Sequence, residues 1–90
     1  MPSCQVTIIN KLGLHARAAA KFVSIANSFP CAIAVGREPD SLCNGKNIMS
    51  VMMLAASKGT DLHISATGEQ ADEALRALQQ LIAERFDEDC

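Results

Sequence analysis

Apolar and polar residues follow two periods along this chain, and the periods divide it into strands and helices. Residues 4–9 and 62–67 alternate between apolar and polar side chains, which predicts strands with one buried face. Residues 16–28 and 71–85 repeat apolar side chains every three or four positions, which predicts two amphipathic helices. The apolar stripe of the second helix consists of Ala71, Ala74, Leu75, Leu78, Leu81 and Ile82.

The middle of the chain contains shorter elements separated by turn residues. Residues 31–35 read as a strand, residues 36–40 as a turn, and residues 41–44 as a third strand that completes a hairpin. Asn47 is a suitable N-cap for a short helix that extends to about Leu54, because its side-chain oxygen can accept from backbone N–H groups at the helix start.

The predicted order is therefore strand, helix, strand, strand, helix, strand, helix. Every strand has one apolar face, and helices on a single face of the sheet would cover it. We predict an α+β fold, a four-stranded, largely antiparallel sheet with three helices on one face, as an open-faced two-layer sandwich. The 90 residues leave room for a single domain, which we place at residues 1–90.

Composition and charge exclude several classes of protein. A formal net charge of −2 argues against nucleic acid or an anionic membrane as the partner. The strongly apolar residues 48–56 are far fewer than the ~20 needed to span a bilayer, and the N-terminus lacks a signal sequence. We therefore expect a cytoplasmic protein.

The four cysteines do not form a recognisable framework. Cys4, Cys31, Cys43 and Cys90 are widely and irregularly spaced, without a CxxC pair. We expect them to be reduced thiols, and we expect the protein to bind neither a metal nor a cofactor.

The segment around His15 carries the candidate chemistry. A neutral imidazole nitrogen is nucleophilic, and His15 lies where the first helix begins. The backbone N–H groups of Ala16 and Arg17 in the first turn can bind the oxygens of an anion, and the Arg17 guanidinium can hold phosphate. Gly13 allows the sharp turn that would leave the imidazole at the surface.

The motif LGLHARAA at residues 12–19 resembles the phosphorylation motif of the HPr family, the histidine-containing phosphocarriers of bacterial phosphotransferase systems. The segments GKNIM at residues 45–49 and KGT at residues 58–60 resemble the same family, and the likeness covers nearly the whole chain. Two positions depart from the family pattern. Ala18 replaces a common proline, and Asn47 replaces a serine that a regulatory kinase modifies in many relatives.

The resemblance implies a phosphoryl carrier that is not itself an enzyme. It implies that an enzyme I-type donor phosphorylates His15 on Nδ1, that Arg17 stabilises the phosphoryl group, and that an enzyme IIA-type protein accepts it. We expect a monomer. Within the family, VMMLAA at residues 51–56 and RFDED at residues 85–89 resemble the nitrogen-related branch, NPr, more than the sugar-transport branch.

The short helix is apolar on all sides and cannot bury every face in a domain of this size. We assign Val51 and Leu54 to the core. The partner contacts are assigned, with support from the resemblance, to Ala16, Ala20, Ile48, Met49 and Met52.

Three other functions remain as alternatives. The main one is a regulatory binding module in which the phosphorylation state of His15 controls partner proteins. A small metal carrier would need a close thiol pair, and an independent enzyme would need a catalytic set that we cannot assemble from these residues. His63, the other histidine, is expected on the solvent face of the fourth strand.

Overall fold

The computed structural model describes residues 2–87, with the element order predicted above. The strands are β1 (Ser3–Thr7), β2 (Ala32–Glu38), β3 (Ser41–Asn44) and β4 (Asp61–Thr67). The helices are α1 (Ala16–Asn27), α2 (Ile48–Met52) and α3 (Ala71–Ala83), followed by a turn at Arg85–Asp87. The α+β prediction is confirmed. Glu88, Asp89 and Cys90 lie outside the described residues, and they include the end of the RFDED segment.

The four strands form one sheet in the order β1-β4-β2-β3, and its three strand pairings are antiparallel. Alternate residues of the two central strands are buried, among them Ile33 and Val35 in β2 and Leu62 and Ile64 in β4. Apolar burial at every second position is the period of a strand with one face against the core, and Gly36 and Ser65, which follow Val35 and Ile64, are buried as well. The helices supply that cover and form the other layer of the core.

The helix stripes are buried as their spacing predicts. All six stripe residues of α3 have at most 8% of their surface exposed, and Ala18, Ala19, Phe22 and Ala26 are buried on α1. Phe22 is among the largest fully buried side chains. Burying such a side chain contributes about 1.5–3 kcal/mol, so these stripes hold the helices on the sheet.

Some element boundaries differ from the prediction. The turn predicted at residues 36–40 is wrong in its first part, because β2 continues through Gly36 and Arg37 to Glu38. Gly36 pairs with His63 of β4 and Glu38 with Ser41 of β3, so sheet pairing overrides the turn propensity. β1 ends at Thr7 rather than at residue 9.

The C-terminal helix also ends earlier than predicted. α3 stops at Ala83, and Arg85 and Phe86 have positive φ angles of 56° and 55°. The reversal buries Phe86 completely, and Lys21 Nζ of α1 donates a hydrogen bond of 2.6 Å to the Phe86 carbonyl. The chain leaves the helix early because the buried phenyl ring packs into the core.

Candidate functional site

His15 is the N-cap of α1. Its backbone is extended (φ −81°, ψ −179°), and its carbonyl accepts the first helical hydrogen bond, from Ala19 N–H at 2.8 Å. Its side chain is half-buried, and its Nδ1 accepts a hydrogen bond of 3.3 Å from the Arg17 backbone N–H. An accepting Nδ1 bears a lone pair, so in the neutral ring the proton lies on Nε2. The hydrogen bond at the helix entrance thus leaves Nδ1 as the unprotonated nitrogen of the neutral ring.

The loop before His15 is held on both sides by hydrogen bonds. Asn10 Nδ2 donates to the Gly13 carbonyl at 2.8 Å, and Gly13 N–H donates to the Asn10 carbonyl at 3.2 Å. Leu14 N–H donates to the Ala56 carbonyl at 2.8 Å, and the Leu14 side chain is buried. The residue immediately before His15 is therefore anchored both by its backbone and by its side chain.

Gly13 is required at this loop by conformation and by space. Its φ is +69°, which non-glycine residues rarely adopt. A Cβ at this position would lie 2.6 Å from the Ala56 oxygen and 2.8 Å from the Ser57 Cα. This explains the glycine of the motif: the loop leading to His15 packs directly against the chain that follows α2.

Arg17 is in the first turn of α1 with an exposed side chain, as is Ala16. The first backbone N–H groups of a helix have no acceptor within the helix, and they give this end a partial positive charge. Arg17 adds a full positive charge and a planar donor group to the same end. An incoming phosphoryl group at His15 would meet all of these donors in one turn.

Basic and acidic residues are separated along the chain. Eight of the ten acidic residues follow residue 60, and residues 1–37 contain none. Six of the eight basic residues precede residue 61, namely Lys11, Arg17, Lys21, Arg37, Lys46 and Lys58. Two of these lysines also stabilise the fold, since Lys21 Nζ binds the Phe86 carbonyl and Lys46 Nζ the Phe29 carbonyl. The elements that form the candidate site are thus the basic part of the chain.

The predicted partner-contact residues are exposed. Met49 is 65% exposed, Ile48 and Met52 are each 39% exposed, and Ala16 and Ala20 are exposed on α1. Val51, on the opposite side of α2, is completely buried, and Leu54 is partly buried against the core. We call the set Ala16, Ala20, Ile48, Met49 and Met52 the docking patch.

The two helices that carry the docking patch are joined directly. α1 packs against α2, and Asn27 Nδ2 donates to the Lys46 carbonyl at 3.4 Å. Lys46 Nζ returns a hydrogen bond of 2.7 Å to the Phe29 carbonyl just beyond α1. Asn47 caps α2 as predicted, with its Oδ1 accepting from Ser50 N–H at 3.1 Å.

Two large exposed apolar residues escaped the sequence interpretation. Leu12 is 68% exposed in the loop before His15, and Met53 is 80% exposed at the C-cap of α2. Neither lies in a periodic segment, so hydrophobic periodicity carries no signal for them. Their proximity in sequence to His15 and to Met52 is the signal that could have identified them.

His63, Cys4 and Cys43 lie on strands of the sheet, outside the segment that carries His15. His63 is only partly exposed, because Gln5 and Gly36 flank it in the sheet and Leu42 lines the same shallow groove. Burial raises the pKa of the Cys4 and Cys43 thiols, which keeps them protonated and weakly nucleophilic at neutral pH. Within residues 2–87, no three His, Cys, Asp or Glu side chains are grouped as a metal site, and no helix is long and apolar enough to cross a membrane.

The geometry defines a class of site. A half-buried imidazole with an unprotonated nitrogen, at a helix N-terminus whose first turn carries an exposed arginine, suits a protein that takes up a phosphoryl group and passes it on. Exposed apolar side chains on two adjoining helices suit repeated docking onto other proteins.

Comparisons with known proteins agree with that class. The family model described as the PTS HPr component phosphorylation site matches residues 2–84. The chain is 65% identical to phosphocarrier protein HPr of Pseudomonas aeruginosa over 88 residues, 98% of each chain. It is 34% identical to phosphocarrier protein NPr of Escherichia coli over 84 residues, 93% of each chain. The chain belongs to the HPr family of phosphocarrier proteins, which carry phosphoryl groups and are not catalysts.

Solved structures agree as well. A crystal structure of HPr-C-His from Thermoanaerobacter tengcongensis superposes with a TM-score of 0.93 at 40% identity, covering 100% of both chains. A crystal structure of an HPr dimer from the same organism gives a TM-score of 0.75 at 41% identity, covering 98% of this chain and 100% of that one.

Proposed function

We propose that His15 accepts a phosphoryl group from an enzyme I-type donor and passes it to an enzyme IIA-type acceptor. The observation that carries this proposal is the hydrogen bond from Arg17 N–H to His15 Nδ1, which supports an unprotonated Nδ1 at the helix N-terminus. The experiment is incubation with an enzyme I-type protein and labelled phosphoenolpyruvate, followed by phosphate mapping. Acid-labile label on His15 is expected. Label elsewhere, or none, contradicts the proposal.

The transfer uses groups already in place. The Nδ1 lone pair attacks phosphorus, a phosphorus–nitrogen bond forms, and the bond from phosphorus to the donor's leaving atom breaks. The Arg17 N–H, which donates to Nδ1 over a long 3.3 Å, then turns to a phosphoryl oxygen. The second transfer reverses these steps, with Nδ1 as the leaving group. In this scheme the positioning of Nδ1 and the orientation of the donors supply the rate.

The predicted role of the Arg17 side chain can be tested separately from that of its backbone N–H. Arg17→Ala should slow phosphorylation of His15 about tenfold, since it removes a charged donor from a site where charge develops. The phosphorylation rate of Arg17→Lys should lie between those of the unmodified protein and Arg17→Ala, because lysine keeps the charge but lacks the planar guanidinium. Both variants keep the N–H that binds Nδ1. Rapid-quench measurement of phosphohistidine formation tests this, and equal rates for all three proteins would contradict it.

The docking patch is proposed to contact donor and acceptor in turn. Met49→Glu should slow transfer with both partners about tenfold, because it places a charge in an apolar contact, while the free energy of unfolding changes little. Thr67→Glu is the control, because it adds the same charge at an exposed position on another element, the last residue of β4. Transfer by Met49→Glu at the rate of Thr67→Glu would remove Met49 from the patch.

A regulatory chain of the nitrogen-related kind is a second candidate, in which the phosphorylation state of His15 controls partner proteins. The segments at residues 51–56 and 85–89 favour it, whereas the identity is higher to the HPr of P. aeruginosa than to the NPr of E. coli. Parallel assays with enzyme I of each branch separate the two. Faster phosphorylation by the sugar-transport enzyme would reject the nitrogen-related assignment.

We further propose that the carrier acts in the cytoplasm and as a monomer. Donor and acceptor must reach the same exposed patch in turn, and a dimer that covered the patch would block both. Light scattering during active transfer tests the second point. A dimer as the active species would contradict it.

A further inference from the structure

Residues 54–57, which follow the C-cap of α2, connect the docking patch to the loop that carries His15. The Ala56 carbonyl accepts the Leu14 N–H at 2.8 Å, one residue before His15. On the other side, Ala55 N–H donates to the Met52 carbonyl at 3.1 Å and Leu54 N–H to the Val51 carbonyl at 3.2 Å. Residues 54–57 therefore form a direct hydrogen-bonded link between α2 and the helix entrance.

The link depends on an unfavourable backbone conformation. Ala55 has a φ of +51°, in the left-handed region that costs an L-residue about 1–2 kcal/mol. Its neighbours hold it there. Arg37 Nη1 donates to the Leu54 carbonyl at 3.5 Å, and the Thr60 side chain accepts Ser57 N–H at 3.2 Å. The Ala55 side chain is exposed, so the conformation is not explained by packing of its methyl group.

We propose that the left-handed turn at Ala55 positions His15, by holding the Ala56 carbonyl where it fixes Leu14. Ala55 and Ala56 are positioning residues, since they act on the imidazole through Leu14 and do not touch it. This inference rests on the proposed function of His15. It assigns to the segment after α2 a role in orienting the His15 imidazole. This role is separate from the contact that the docking patch makes with partners.

The test compares two side chains of similar size at the same exposed position. Ala55→Val disfavours the left-handed region because valine is β-branched, whereas Ala55→Asn tolerates it. The two side chains match in size but differ in polarity, and neither fills or empties the core because position 55 is exposed. The probe is phosphoramidate, a small donor that needs no docking. The bond from phosphorus to its nitrogen breaks as the bond to His15 Nδ1 forms, and ammonia leaves with a proton from water.

Three measurements are made on each protein: the rate of His15 phosphorylation by phosphoramidate, hydrogen exchange of the Leu14 amide, and the nitrogen resonances of the His15 imidazole. Ala55→Val should lose protection at Leu14, shift the imidazole resonances, and react about tenfold more slowly. Ala55→Asn should remain within about twofold of the unmodified protein in rate. Rescue by asparagine separates the backbone conformation from a general effect of substitution.

Each other result overturns a specific part of the proposal. A Leu14 amide that stays protected in Ala55→Val shows that the turn does not hold the bond, and lost protection with an unchanged rate shows that the bond does not position His15. If both variants react equally slowly, the slower rate comes from the altered surface and not from the position of His15. Failure of the unmodified protein to react at His15 with phosphoramidate and with the enzyme donor contradicts the proposed function itself.

Discussion

Replacing His15 with asparagine should reduce phosphorylation by the enzyme I-type donor to the assay background while leaving the fold in place. Asparagine is among the best N-cap residues, so it can replace the capping interaction that His15 makes with the Arg17 N–H. It lacks the imidazole nitrogen that attacks phosphorus. The asparagine variant thus removes the nucleophile and retains the cap. His15→Ala would remove both at once.

His63→Asn is the matched control, because it removes the other histidine of the chain from a strand of the sheet. Mass spectrometry and acid lability of the label should show one phosphate on His63→Asn and none on His15→Asn. Far-UV circular dichroism and urea unfolding should place both variants near the unmodified protein. Labelled His15→Asn would contradict the assignment of His15 as the phosphoryl acceptor.

Sequence periodicity predicts the main elements of this fold well because the two central strands and the two long helices each bury an apolar face. The six-residue stripe of α3 and the alternation around Leu62 and Ile64 indicate directly which side of each element faces the core. The same reasoning failed at Gly36 and Arg37. Gly36 has turn-forming character and pairs with His63, which comes later in the chain, while Arg37 lies where the register shifts between Val35 and Glu38.

The candidate site likewise has features that the sequence predicts and features that it does not. The position of His15 at a helix entrance follows from the local motif, and so does the exposure of Met49 opposite a buried Val51. The contact between Leu14 and Ala56 does not, because it joins residues far apart in sequence through backbone atoms, which leave no pattern in side-chain polarity. The left-handed Ala55 is equally hidden, since alanine normally signals a helix.

Gly13→Ala should be among the most destabilising single substitutions in the loops of this protein. The added Cβ would lie 2.6 Å from the Ala56 oxygen, and the residue would have to keep a φ of +69°. Backbone conformation alone costs about 1–2 kcal/mol, and displacing a packed backbone adds a further ~1–3 kcal/mol. We therefore expect the free energy of unfolding to fall by about 3–4 kcal/mol, a large part of the stability of a small domain.

Gly59→Ala separates the two contributions. Gly59 also has a positive φ, of +93°, but a Cβ there would meet no atom within 4 Å. It should thus show only the conformational cost, about 1–2 kcal/mol. Urea unfolding of both variants gives the difference, which measures how tightly the His15 loop packs on the segment after α2. Equal losses for the two variants would mean that this segment moves aside freely, and such a segment could not hold Leu14 in a fixed place beside the nucleophile.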